Sequence, residues 1–208
     1  MQEDLKYNNP IPVAVAIVPI KREKTYKINN QEITLEVVDV LYVRRKIEPK
    51  KGMLALPGGF VNEGERLETG GKRELEEEIG LIIDEEEFKL FRSEITPNNR
   101  NLIFGITPTR SEDVLNILNE NLKTNPTIKE ETQEFVIGNL NIKDAAFPLH
   151  QKAIGKFLDM VNGMMLNFAI RDYSKDTVND IVEALKIDGY LTRHSENVLL
   201  IDKMLLFY

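Results

Sequence analysis

The sequence predicts an α/β protein, an α/β/α sandwich around a mixed sheet, followed by a small C-terminal α+β extension. Three observations carry this. Apolar runs rich in β-branched residues, at 13–20, 33–45, 102–107 and 134–138, are set off by proline, glycine or asparagine, the pattern of buried strands. Between and after them, apolar residues recur at helical spacing, as in Val114, Ile117, Leu118 and Leu122, and in Ile154, Phe157, Leu158 and Val161. Strands covered by helices on both faces make a layered sandwich, and 208 residues suffice to bury such a core plus an appendage.

Residues 1–9 are polar and read as a frayed terminus. Residues 13–20 form a strand bounded by prolines, and Asn29-Asn30 forms a hairpin tip whose return strand is 33–45. Along the end of that strand Tyr42 and Arg44 face one side, Leu41, Val43 and Arg45 the other. A basic loop at 47–51 and a segment at 54–59 lead into a helix over 68–79, with Thr69 or Glu68 as its cap. An acidic connector at 84–87, a strand at 88–95 and a turn at Pro97-Asn98-Asn99 follow. Ser111 caps the next helix, an insertion over a sheet edge, and residues 119–131 form a polar loop holding Pro126. Pro148 opens the helix after the last strand. Gly163 marks a boundary between residues 1–163 and an extension, 164–208, with a helix over 176–186, Gly189 as its stop, and a hairpin of 190–193 and 197–201.

Composition narrows the chemistry. A net charge of −7 without a long basic run argues against nucleic-acid affinity, and no apolar run approaches the length of a membrane span. Residues 11–20 are too short and lack a basic lead, so they do not read as a signal peptide. The absence of cysteine removes disulfides and thiolate chemistry and fits a cytoplasmic setting. Only His150 and His194 carry imidazoles, so carboxylates are the working groups; His150 reads as a structural hydrogen-bonder and His194 as an exposed tip residue.

The strongest chemical signal runs from Gly59 to Leu81, GFVNEGERLETGGKRELEEEIGL. On a helix turning about 100° per residue, Glu74, Glu77 and Glu78 share one face, and Glu76 points to solvent. Like charges at this spacing disfavour a helix unless a cation joins them, and a hard divalent ion accepts oxygen ligands. Arg73 and Glu65 form a natural guanidinium–carboxylate pair that locks the helix to the loop before it. Gly80 suits a left-handed cap, and Gly70-Gly71 reads as a place where helix backbone lies close against a sheet.

This stretch resembles the Nudix box, G-x5-E-x7-R-E-U-x-E-E-x-G-U with U aliphatic, with every fixed position filled; looser similarity extends over residues 12–157. The resemblance implies a Nudix-type sandwich over residues 1–163 that hydrolyses nucleoside diphosphates linked to another moiety, using Mg²⁺ or Mn²⁺. It implies that Glu74, Glu77 and Glu78, with the carbonyl of Gly59, hold the metal, and that Glu65 and Arg73 orient them. Either a box glutamate or a loop acid takes the proton; Glu130, Glu131 and Glu134 lie where some relatives carry such a base, and Glu131 is the candidate. Arg44, Arg45 and Phe60 are the substrate-binding candidates, whereas Tyr42 and Phe104, also aromatic, read as core. Pro97, some fifteen residues beyond the box, matches ADP-ribose hydrolases of the family, while the patterns of NADH- and coenzyme A-cleaving members are missing. The rival expectation is an ADP-ribose-sensing regulator with a winged-helix-like C-terminus. Against it stand the complete box and the acidic tail; an edge cover or a homodimer interface is the preferred role for 164–208.

Overall fold

A computed structural model of the chain describes residues 9–169 and 173–192. The chain runs β1 (Ile11–Ile17), β2 (Pro19–Ile28), β3 (Gln31–Arg45), β4 (Leu54–Ala55), β5 (Gly58–Phe60) and α1 (Leu67–Ile79). It continues through β6 (Lys89–Ile95), β7 (Arg100–Ile106), β8 (Arg110–Ser111), α2 (Val114–Thr124), α3 (Pro126–Glu131), β9 (Thr132–Gly138), α4 (Pro148–Ala169) and α5 (Lys175–Ile187).

The strands make two sheets, ordered β5-β1-β7-β6 and β4-β3-β2-β8, with β9 on β3. Each mixes parallel and antiparallel pairs, β1 with β7 and β2 with β8 being the parallel ones. The run at 13–20 is therefore two strands. Val18 separates them, its carbonyl accepting from Leu41, and Pro19 begins the second where the chain changes sheets. Asn29 and Asn30 both take positive φ, 51° and 64°, and close the β2–β3 hairpin as expected.

Alternation along the strands supplies both faces of the sandwich. Ala16, Val18, Leu41 and Val43 pack with Leu75 and Ile79 of α1, Leu118 of α2 and Ile128 of α3. Val15, Ile17, Val40 and Tyr42 pack instead with Ala153, Ile154, Phe157 and Leu158 of α4. A third cluster joins Ile33, Leu35 and Val37 of the hairpin to Leu166, Ile181, Val182, Leu185 and Tyr190. Helix α4 passes through Gly163 without a break, and α5 docks on the β2–β3 hairpin. Asn162 fastens this junction, bonding both N–H and C=O of Val38 and the carbonyl of Tyr190.

Other expectations change. The polar stretch 119–131 is helical, because Asn125 caps α3 by accepting from Thr127 N–H and Pro126 fills the first helical position. Ser111 lies in β8, and Asp113 takes the cap position of α2. Arg66 precedes α1 without a side-chain cap, so neither Thr69 nor Glu68 plays that part. Gly80 is left-handed, φ 69°, as its place in the box requires. The hairpin beyond Thr192, His194 and residues 1–8 lie outside the described residues.

The glycine pair in α1 has a particular neighbour. A methyl group at Gly71 would lie 2.4 Å from the ring of Phe88, and one at Gly105 of β7 would lie 2.1 Å from the same ring. Phe88 is fully buried between helix and sheet, with glycine on either side. Gly105→Ala is expected to lower the unfolding free energy by about 2 kcal/mol through overpacking, and Phe88→Leu in the same chain to recover part of it. Denaturant melts showing an unchanged midpoint for the single variant would refute this wedge.

Candidate active site

The site lies where β5 and the loop after it meet α1. Gly58 has φ 149°, and a side chain there would strike the carbonyl of Ala14 at 2.2 Å, so only glycine lets β5 approach β1 this closely. The Gly58 N–H donates to Glu78 Oε2 at 2.8 Å. Gly59 leaves room for the Glu74 carboxylate, which a methyl group would meet at 2.5 Å.

Arg73 organises the opposite side. Its Nε donates to Glu65 Oε1 (2.9 Å) and its Nη2 to Glu65 Oε2 (3.1 Å) and to the carbonyl of Phe60 (2.8 Å). Its Nη1 donates to both Glu74 (2.7 Å) and Glu77 (2.9 Å). The predicted Glu65–Arg73 pair is thus present, and it reaches two further carboxylates. The Arg73 bonds hold Glu65 below the usual carboxylate range, and the same contacts push the Arg73 pKa up.

Glu78 is 9% exposed. Burial pushes its pKa up to about 8; the Gly58 N–H opposes this, the charges of Glu74 and Glu131 add to it, and Arg45 opposes it. Glu74 is also raised, first by burial, against the pull of Arg73, with Glu77 and Glu131 contributing. Glu131, at the end of α3, therefore lies within electrostatic reach of both box glutamates. Glu134 is paired with Arg44 at 2.5 Å instead, and Glu76 faces solvent.

Arg45 donates to the Pro49 carbonyl, stacks 5.6 Å from the Phe147 ring and acts on Glu78 through its charge, whereas Arg44 also bonds the Gly52 carbonyl. Phe60 is half exposed, with the guanidinium of Arg100 4.8 Å from its ring centre. Tyr42 and Phe104 are fully buried core residues.

Several contributors escaped the sequence reading. Gly58 stands outside the fixed positions of the motif, and its doublet with Gly59 is its one signal in the sequence. Arg100 carried no signal. Thr132 Oγ1, at the start of β9, donates to the Glu78 carbonyl and Asn121 Nδ2 of α2 to that of Gly80, so β9 and α2 satisfy the C-terminal end of α1.

The donor chemistry suits a hard divalent cation. Every nearby side-chain donor is a carboxylate oxygen, and Glu74 and Glu78 are held away from water beside other negative charges. Among the described residues, no three acidic or imidazole groups already converge as a metal-holding group. Glu74 and Glu77 turn to Arg73, and Glu78 to Gly58. Glu77, its side chain 52% exposed, keeps the cluster open to solvent.

His150 has the structural role expected of it. The Leu56 N–H donates to its Nδ1 at 3.3 Å, which leaves the ring proton on Nε2. Burial first, and the charge of Arg45 second, push its pKa down to about 3. An unfolded histidine titrates near 6.5, so this contribution to stability is complete above about pH 6.5 and is lost as pH falls toward 3. His150→Gln still accepts from Leu56 and is expected to flatten the pH dependence of stability by up to ~1.4 kcal/mol per pH unit below pH 6. Melts of both proteins between pH 7 and 4.5 with parallel slopes would contradict it.

Fold and site together define an α/β/α protein with a row of carboxylates gathered on one helix. Residues 11–157 match the NUDIX domain, and the chain belongs to the Nudix family as a Nudix pyrophosphohydrolase. An ADP-ribose pyrophosphatase of Methanocaldococcus jannaschii is 34% identical over 124 residues, 60% of this chain and 68% of that protein. A MutT/nudix family protein from Enterococcus faecalis shares the fold at 18% identity and a TM-score of 0.54, covering 95% of this chain and 82% of that one. Another from Listeria innocua does so at 18% identity and 0.52, covering 77% and 99%. Among the described residues, no helix is long and apolar enough to cross a membrane.

Proposed function

We propose that this chain hydrolyses the pyrophosphate bond of ADP-ribose, or of a related ADP-sugar or dinucleotide, in the presence of Mg²⁺ or Mn²⁺. The observation that carries the reading is the set of carboxylates around Gly58 and Gly59, with Glu78 buried on a backbone N–H and Arg73 spanning Glu65, Glu74 and Glu77. ADP-ribose enters through the relative from Methanocaldococcus jannaschii and through Pro97, in the turn between β6 and β7.

Glu74, Glu77 and Glu78, with the Gly59 carbonyl, would hold the cation, which when bound neutralises diphosphate charge and lowers the pKa of water. The remaining work belongs to the chain. Glu131 accepts the proton of the attacking water, whose oxygen bonds to phosphorus while the bridging P–O bond breaks. The products are AMP and the phosphorylated second moiety. Arg73 and Glu65 keep the box helix in register with the loop, and Arg44, Arg45 and Phe60 bind the nucleotide. A cytoplasmic setting, a nucleotide-type small molecule as the sole partner class and a homodimer through residues 164–208 belong to the same reading. In the regulator reading the C-terminus grips duplex DNA, yet from Ser174 onward six acids face four Lys plus Arg, a poor surface for phosphates.

The test is a panel of nucleoside diphosphate derivatives incubated with Mg²⁺ or Mn²⁺ and assayed for nucleoside monophosphate. Release of AMP from ADP-ribose is expected. Salt-dependent binding to duplex DNA, with no release from any panel member, would decide for the regulator.

A further inference from the structure

A depression of about 500 Å³ is lined by Lys46, Lys51, Lys123 and Lys129, with Leu122, Thr132 and Gln133. It adjoins the site through two bonds. The Lys46 N–H donates to the Glu131 carbonyl at 2.7 Å, and Thr132 donates its hydroxyl to the Glu78 carbonyl at 3.1 Å. Glu131 and Lys129 thus belong to one short helix, the first acting on the box glutamates and the second lining the depression.

Four lysines line this one hollow in a chain whose net charge is −7, and like charges so placed disfavour one another. Among the described residues, Lys46, Lys51 and Lys129 have no carboxylate partner; Lys46 donates to the Lys129 carbonyl, and Lys123 has only an exposed contact with Glu120 at 3.5 Å. Position near helix C-termini accounts for Lys123 and Lys129 taken singly. It does not account for Lys46 and Lys51, which reach the same hollow from the loop after β3. Lysines from two segments lining one hollow can close on a multiply charged anion, and a phosphate has the charge and acceptors to satisfy them.

We propose that this depression is an anion subsite that holds a further phosphate group of the nucleotide, beyond the diphosphate that is cleaved. The subsite extends the hydrolase reading above and depends on it for the identity of the molecule, though not for the affinity of the hollow itself. Its consequence is selectivity: a substrate carrying an additional phosphate is preferred over the same substrate without one, through KM.

Two measurements on the full chain test it. In the first, tripolyphosphate is titrated in the presence of a chelator, so that the carboxylate cluster has no cation with which to hold phosphate. Saturable binding that shifts the lysine side-chain resonances is expected, weakened about tenfold or more by Lys123→Ala with Lys129→Ala and retained when both are arginine. No saturable binding, or binding unaffected by the alanines, overturns the subsite. In the second, kcat/KM is compared for a nucleoside diphosphate derivative with and without one further phosphomonoester. The alanine pair is expected to lower the value about tenfold for the phosphate-bearing substrate, through KM, and less than twofold for the other. Equal losses on both overturn the substrate assignment and leave general steering or free phosphate as the explanation. Absence of turnover on every compound refutes the hydrolase reading, while the chelator titration still decides on the hollow.

Discussion

Glu78→Gln is expected to lower kcat roughly a hundred- to ten-thousandfold while leaving the metal-free protein at least as stable as the parent. The two effects separate because they act on different properties of one side chain. Glutamine keeps an oxygen for the Gly58 N–H, so the bond between α1 and β5 survives. It removes an ionisable group that is 9% exposed and lies in the field of Glu74 and Glu131, where ionisation is unfavourable unless a cation compensates it. The midpoint of a thermal melt in chelator should therefore hold or rise, while turnover with Mg²⁺ collapses. An intact rate would remove Glu78 from the ligand set. A collapsed melting point would make its role structural.

Arg73→Ala should impair both properties. One guanidinium satisfies Glu65 through two bonds, Glu74, Glu77 and the Phe60 carbonyl, and no other cation bonds those three acids among the described residues. Removing it leaves Glu65 and Glu74, side chains 12% and 13% exposed, without a counter-charge. A loss of about 2 kcal/mol in stability and on the order of a hundredfold in kcat/KM follows from the proposed role of Arg73, orienting metal ligands without being one. Arg73→Lys restores the charge but not the fork, so stability should recover further than rate. Melts and initial rates on the pair distinguish the two contributions; equal recovery of both by lysine would mean that charge alone matters.

How far the sequence reaches depends on the distance over which an interaction acts. The helix of the box, its left-handed stop at Gly80 and the pairing of Arg73 with Glu65 are local, governed by helical rotation and short loops, and all were legible. The hairpin at Asn29-Asn30 was legible for the same reason. Helix α3 was missed because its signal, an asparagine cap followed by proline, sits in a polar stretch whose one buried anchor, Ile128, gives no periodicity. The division of 13–20 between two sheets was missed because both halves are apolar, and only pairing partners tell them apart.

What the sequence determined by itself is the chemistry available: a row of glutamates on one face of a helix, a guanidinium beside it, no thiol, and imidazoles too few to compete. Tertiary structure alone decided how those groups are held. Folding brings Gly58, 20 positions away, to Glu78 and brings the charges of Arg45 and Glu131 to bear on the same carboxylate. It also sets four lysines from two segments into one hollow. Burial and proximity between distant segments are properties of packing, and charges respond to both, so the protonation and the neighbours of a carboxylate become definite only once the sheets have closed over it.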